Sequence, residues 1–247
     1  MRRGTPTLAG TTTRPRRLVS LVPSLTETVA VTAPELLVGV TDWCTHPAEL
    51  AAARVGGTKN PRVDEIVALR PDLVLVNEEE NRAPDVEALR RAGLGIWMTD
   101  YETVPAALTG LGDLLAALGL GRPQWLTEAE AAWAEPWTGE RCTALVPIWR
   151  KPWMALGRDT FAGDVLSRLG VDNVLADHAE RYPRVALDSL PPYDVVVLPD
   201  EPYRFSATDG PEAFDVPARL MSGRHLTWYG PSLAEARQVL TRHLSSQ

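Results

Sequence analysis

Cys44-Thr45-His46 sets a thiol and an imidazole two residues apart, and Pro47 behind them holds the His46 backbone extended. A thiolate and a neutral imidazole ligate metals, and they are also two parts of a nucleophilic relay. Neither chemistry is completed nearby. A zinc site needs three or four ligands, while His178, His225 and His243 lie far along the chain. A relay needs an orienting group and an oxyanion hole, and the sequence shows neither. Gly56-Gly57 sits in no dinucleotide fingerprint, and the chain has no G-x-S-x-G and no P-loop. His46 is therefore expected to hydrogen-bond within its loop and shape a pocket floor.

Binding is the chemistry with more candidates. Trp43, Trp149, Trp153 and Trp228 are four of eight tryptophans, and they fall in predicted loops together with Tyr203 and Tyr229. They form either a hydrophobic seam under the loops or an aromatic-lined cleft for a flat or bulky ligand. Charges of both signs share those loops: Lys59, Arg150, Lys151 and Arg204 against Glu78, Glu79, Glu80 and Glu201. Such groups grip carboxylate or amide arms.

These loops need a scaffold, and the chain spells it twice. Asp72-Leu-Val-Leu-Val-Asn-Glu-Glu-Glu recurs as Asp194-Val-Val-Val-Leu-Pro-Asp-Glu-Pro, 194 − 72 = 122 residues later in a chain of 247. Each phrase is a proline-bearing turn, an Asp, four apolar residues and an acidic loop. A short continuous apolar run bounded by turns reads as a buried parallel strand. Further strands are expected over 18–22, 36–40, 94–98, 143–148, 173–175 and 220–222. Helices are expected from a Ser24…Glu27 capping box to 31, over 61–69 and 84–92, over 104–118 with apolar residues at helical spacing, from an Asp159 cap through 169, and over 231–244. The Ala- and Glu-rich stretch 124–135 reads as helical. Alternating strands and helices give an α/β fold of two Rossmann-like lobes with parallel sheets. The expected division is a disordered leader at 1–15, an N-terminal lobe at 16–120, a helical connector at 121–139 and a C-terminal lobe at 140–247.

Composition sets the outer bounds. A net charge of −7 and a pI near 5.2 argue against a nucleic-acid partner. Cys44 and Cys142 read as free thiols rather than a disulfide. No run approaches the ~18 apolar residues of a membrane span, so no membrane insertion is expected. The Arg-rich stretch 1–17 lacks the apolar segment of an export signal, so a cytoplasmic location is expected.

Leu18-Val-Ser-Leu-Val-Pro-Ser-Leu-Thr-Glu27, Val38-Gly-Val-Thr41, Val55-Gly-Gly57 and Ile66-Val-Ala-Leu-Arg-Pro-Asp-Leu-Val74 together resemble the iron-siderophore/vitamin B12 periplasmic-binding-protein fold, the helical backbone metal receptors, close to the cobalamin binders. The resemblance is strong over 16–120 and weaker over 143–244. It implies two α/β lobes joined by a single backbone helix, with the ligand held between them. It also implies a non-enzymatic binder of cobalamin, haem or a siderophore. Two departures accompany it: the export signal is absent, and Thr58 stands where the cobalamin binders carry a stacking aromatic. Tyr182 and Trp43 are matches for an opposing aromatic in each lobe. Asp64 and Asp188 match the acids that dock the family to an ABC-transporter permease, a partner expected only if the chain is exported.

The expected ligand contacts are thus Trp43, His46, Lys59, Glu79, Trp149, Arg150, Trp153, Tyr182, Glu201, Arg204 and Trp228. The alternative is a cytoplasmic enzyme of hydrolase or lyase type with Cys44, His46, Lys59 and Glu79 in an inter-lobe active site. A third reading is an interaction protein whose partner covers the tryptophan-rich loops.

Overall fold

The computed structural model describes residues 14–245. Of the expected leader, all but Arg14 and Pro15 lies outside the described residues. Arg14 donates from Nε to the Leu118 carbonyl, and Pro15 is buried, so these two residues are part of the packed chain.

In chain order the elements are β1 (Leu18–Ser20), α1 (Pro23–Thr32), β2 (Leu37–Val40), β3 (Ala53–Arg54), α2 (Val63–Ala68), β4 (Leu73–Asn77), α3 (Ala83–Arg91), β5 (Gly95–Thr99), α4 (Val104–Ala117) and α5 (Gln124–Ala134). They continue with β6 (Cys142–Leu145), β7 (Pro147–Trp149), β8 (Met154–Ala155), α6 (Phe161–Ser167), β9 (Val171–Asn173), β10 (Val195–Pro199), β11 (Ala218–Met221), α7 (Gly223–Thr227) and α8 (Leu233–Ser245). Two compact units result. The first holds 14–100, 108–127 and 229–231; the second holds 101–107, 128–228 and 232–245. The boundaries fall inside α4 and inside α5, and Tyr229–Pro231 returns late in the chain to the first unit.

The first unit is built on a parallel sheet of order β3-β2-β1-β4-β5. Val74 and Val76 of β4 join Val19, Ile66, Val86 and Leu89 in one cluster, while Leu73 and Leu75 between them are also fully buried. Burial of every residue of β4 is what a strand covered on both faces requires. The second unit has a parallel sheet of order β11-β10-β6-β9, with β10 in the place that β4 takes in the first.

The duplicated phrase has a duplicated structural job at its leading Asp. Asp72 Oδ2 accepts from the backbone N–H groups of Arg16 and Arg17 at 2.7 and 2.9 Å, and Asp72 N–H donates to the Arg17 carbonyl at 2.8 Å. Asp194 Oδ2 accepts from Thr143 N and Oγ1 at 2.7 and 2.8 Å, and Asp194 N–H donates to the Thr143 carbonyl at 3.0 Å. Each Asp therefore clamps the neighbouring strand at its entry. The Thr143 hydrogen bonds hold the Asp194 carboxyl below its ordinary value.

Several local expectations are corrected. Pro23 occupies the first helical position of α1, where its missing N–H costs nothing, so Val22 is the N-cap and Ser24 lies inside the helix, with no side-chain cap. Thr160, not Asp159, caps α6: its Oγ1 accepts from Gly163 N–H at 3.2 Å, whereas Asp159 has a left-handed φ of 51° that an N-cap does not adopt. The expected strand 143–148 is two strands, because Pro147 has no N–H for the ladder; β7 instead pairs antiparallel with β8. Finally, α7 was read as loop, since five residues opening on Gly223 carry no helical periodicity.

Candidate functional site

The loops beyond the carboxyl ends of the parallel strands are the candidate binding surfaces of each unit. In the first unit, two asparagines fix the acidic loop after β4. Asn77 Oδ1 accepts from the N–H groups of Glu79 and Glu80 at 2.8 and 2.9 Å. Asn81 Oδ1 accepts from Asn77 N–H at 2.8 Å, and its Nδ2 donates to the carbonyls of Leu21 and Thr58 at 3.2 and 3.0 Å. Glu78 and Glu79 stay exposed, and exposed Lys59 donates from Nζ to the Glu79 carbonyl. Lys59 and Glu79 are thus brought together, through the backbone rather than the carboxylate. The sequence placed the loop 77–82 at a strand end but gave Asn77 and Asn81 no role, although two asparagines bracketing three glutamates are a visible turn signal.

The loop after β2 carries Trp43, which is 65% exposed. Beside it, Cys44 is fully buried, its Sγ lying 3.0 Å from Thr26 Oγ1 and 3.1 Å from Thr41 Oγ1. Burial pushes the Cys44 thiol above its ordinary value, so it stays protonated at neutral pH and is a poor nucleophile. His46 Nδ1 lies 3.1 Å from Thr45 Oγ1, a contact inside its own loop. The enzyme alternative loses its thiolate on this geometry. Among the described residues no group of three or more His, Cys, Asp or Glu side chains is placed to hold a metal ion.

In the second unit, the β7–β8 hairpin presents Trp149, 43% exposed and edge-on to Tyr203 with ring centroids 5.6 Å apart. Trp153 stacks on Phe205 at 6.0 Å and meets Phe214 at 5.3 Å, so much of its surface is spent on the core of this unit. Arg150 lies over the Trp153 ring and pairs with Asp209 and with Glu212, the latter at 2.6 Å. The Tyr203 hydroxyl donates to Asp209 at 2.6 Å; with Arg150 it holds the Asp209 carboxyl below its ordinary value. Arg150 is therefore charge-compensated within the unit. Arg204 is exposed and Tyr182 is half-buried.

Glu201 is partly buried and accepts from Trp228 Nε1 at 3.0 Å, while Trp228 itself is 9% exposed. Burial raises the Glu201 carboxyl above its ordinary value; the Trp228 hydrogen bond and Arg224 oppose the rise, and Asp200 adds to it. A carboxyl raised in the folded state contributes its full stability below its unfolded pKa and loses it as pH rises through the folded value. Glu201→Gln is accordingly expected to be more stable than the parent at pH 7, by under about 1 kcal/mol at this partly solvated position, and equal to it at pH 3. Urea unfolding at the two pH values measures this, and a variant less stable at pH 7 contradicts it. A second polar chain went unread in the sequence: Ser222 Oγ is 2.7 Å from His225 Nδ1, and His225 Nε2 is 3.1 Å from Glu235 Oε1, tying α7 to α8.

Asp64, near the start of α2, and Asp188, in the turn Leu187–Ser189, are both exposed. No described helix is long and apolar enough to cross a membrane.

No family model matches the chain. Over 85 residues, 33% of this chain and 27% of the relative, it is 36% identical to the uncharacterized ABC transporter substrate-binding lipoprotein YvrC of Bacillus subtilis. Over 182 residues it is 24% identical to the vitamin B12-binding protein of Vibrio parahaemolyticus, covering 70% of this chain and 66% of that one. The matched stretches thus span less than two thirds of either relative. Among solved structures, the periplasmic vitamin B12 binding protein BtuF of Vibrio cholerae superposes with a TM-score of 0.74 at 19% identity, over 93% of this chain and 96% of that one. The periplasmic heme-binding protein RhuT of Roseiflexus sp. RS-1 gives 0.73 at 20% identity, over 92% and 97%. The chain has the two-lobed α/β fold of the iron/vitamin B12 periplasmic binding proteins. These likenesses overturn the cytoplasmic expectation: the proteins that this chain resembles are a lipoprotein and periplasmic binding proteins, so the lack of an apolar run within 1–17 does not place it in the cytoplasm.

Proposed function

We propose that this chain is the substrate-binding component of an ABC transporter, acts outside the cytoplasm, and takes a metal-chelate or tetrapyrrole-like ligand: cobalamin, haem or a ferric siderophore. The observation that carries the proposal is the exposure of Trp43 and Trp149. Trp43 follows β2 and is 65% exposed, and Trp149 ends β7, just past the carboxyl end of β6, and is 43% exposed. Large aromatics left open beyond the carboxyl ends of parallel strands suit a ligand with a broad π-face. The fold, and relatives named for vitamin B12 and haem, support the same class. Lys59, Glu79 and Arg204 are exposed polar groups in the same sets of loops and suit the ligand's carboxylate or amide arms. Asp64 and Asp188 are the proposed acids for docking to a permease.

Absorption titration of the purified protein with cyanocobalamin, haemin and a ferric catecholate siderophore tests the proposal. One of the three is expected to bind with a micromolar or tighter Kd and shift its own spectrum. No saturable shift with any of them overturns the reading.

A further inference from the structure

We infer that Arg54 is a positioning residue for the Trp43 platform: it locks the turn that carries the indole and so sets ligand affinity without touching ligand. The inference rests on the proposed ligand class for its binding consequence, but its structural half stands by itself.

The turn is Thr41 to Cys44, closed by the Cys44 N–H donating to the Thr41 carbonyl at 3.2 Å. Its entry is tied to the strand behind it, with Asp42 N–H on the Gly56 carbonyl at 2.9 Å and Val55 N–H on the Val40 carbonyl at 2.9 Å. Arg54 ends β3, and a single guanidinium nitrogen, Nη1, donates to the Thr41 carbonyl at 2.7 Å and to the Cys44 carbonyl at 2.9 Å. One donor group thereby spans the first and last residues of the turn. On the inner side the Cys44 thiol is wedged between the hydroxyls of Thr26 and Thr41. Both ends of the turn are held, and Asp42 and Trp43 are left as its exposed tip.

The indole itself has a seat. A Cβ built at Gly57 would lie 3.2 Å from Trp43 Nε1, closer than side chains normally approach, so the ring rests where glycine leaves room. Arg54 is held in turn, since its carbonyl accepts from Arg62 Nη2 at 2.5 Å and Arg62 pairs with Glu65 at 2.7 Å. An exposed tryptophan on a mobile loop loses conformational freedom when a ligand stacks on it; on a locked turn that loss has already been met in folding. The guanidinium is thus placed to raise affinity through pre-organisation.

The test uses the full chain labelled with 5-fluorotryptophan, with Trp43→Phe assigning the Trp43 fluorine resonance. Arg54→Met keeps the stem and removes the donors. It is expected to shift and broaden the Trp43 signal while the other seven tryptophan signals stay in place. Gly57→Ala is expected to shift the same signal alone. With cyanocobalamin or haemin as the probe, Arg54→Met is expected to weaken binding about fivefold in the parent background. In a Trp43→Ala background it is expected to have no further effect. An unchanged Trp43 signal in Arg54→Met overturns the inference, as does a shift shared by all the tryptophans or a binding loss that persists without Trp43. If the parent binds neither probe, the binding half of the inference fails for these two ligands, while the fluorine signal still decides the role of Arg54.

Discussion

Asn77→Ala is expected to lower the unfolding free energy by about 3 kcal/mol, from four hydrogen bonds worth about 1 kcal/mol each, less what water recovers. Asn77 closes β4 and is 5% exposed. Its Nδ2 donates to the Tyr229 hydroxyl at 2.9 Å and to the Thr99 carbonyl at 3.2 Å, and its Oδ1 serves the two loop N–H groups of Glu79 and Glu80. Alanine leaves these partners buried or misplaced and releases the loop that presents Glu78 and Glu79. The Tyr229 hydroxyl also lies 3.0 Å from Thr99 Oγ1, so it is shared by two residues of the first sheet. Tyr229→Phe is expected to cost about 1 kcal/mol, and the double variant less than the sum, because one bond is common to both deletions. Urea midpoints on the three variants measure this. A loss under about 1 kcal/mol for Asn77→Ala, or strict additivity, contradicts the assignment.

Trp43→Ala is expected to weaken binding of the proposed ligand about thirtyfold while leaving the unfolding midpoint nearly unchanged. The magnitude follows from stacking roughly 80 Å² of indole on a ligand at about 25 cal/mol per Å², or about 2 kcal/mol. Stability is spared because the 65% exposed ring contributes little to the core. Trp153→Ala is the contrast: its ring packs against Phe205 and Phe214 within the second unit, so its first effect is on unfolding. Fluorescence or absorption titration beside urea denaturation separates the two. Equal binding by Trp43→Ala and the parent removes Trp43 from the site.

The two central strands were legible because the signal is local. Four apolar residues between a proline-bearing turn and an acidic loop bury on both faces wherever they stand, and β4 and β10 each occupy an interior position of their sheet. Helix α4 was equally plain, since Leu108, Leu111, Leu114 and Leu115 recur at the helical period and are buried. Helix starts were less so: Pro23 begins α1 ahead of the capping residue read at Ser24, and Thr160 caps α6 beside the Asp159 that was read. Trp43 and Trp149 were named from their loops and are the two exposed tryptophans among the large hydrophobics.

Residue type and spacing settled the α/β class and the duplicated strands, because each depends on neighbours a few positions away; the partners that each leading Asp clamps lie 51 to 56 residues off. Tertiary structure alone decided which charges and rings remain free. Arg150 was named for its loop, and only the fold shows that Asp209 and Glu212, about sixty residues on, compensate its charge. Cys44 was the thiol of the enzyme alternative, and Thr26, 18 residues earlier, helps to bury it. Asn77 meets Tyr229 across 152 residues. No local pattern encodes such pairings, because they follow from which strands lie side by side, and a side chain's partners set its charge and freedom once water is gone.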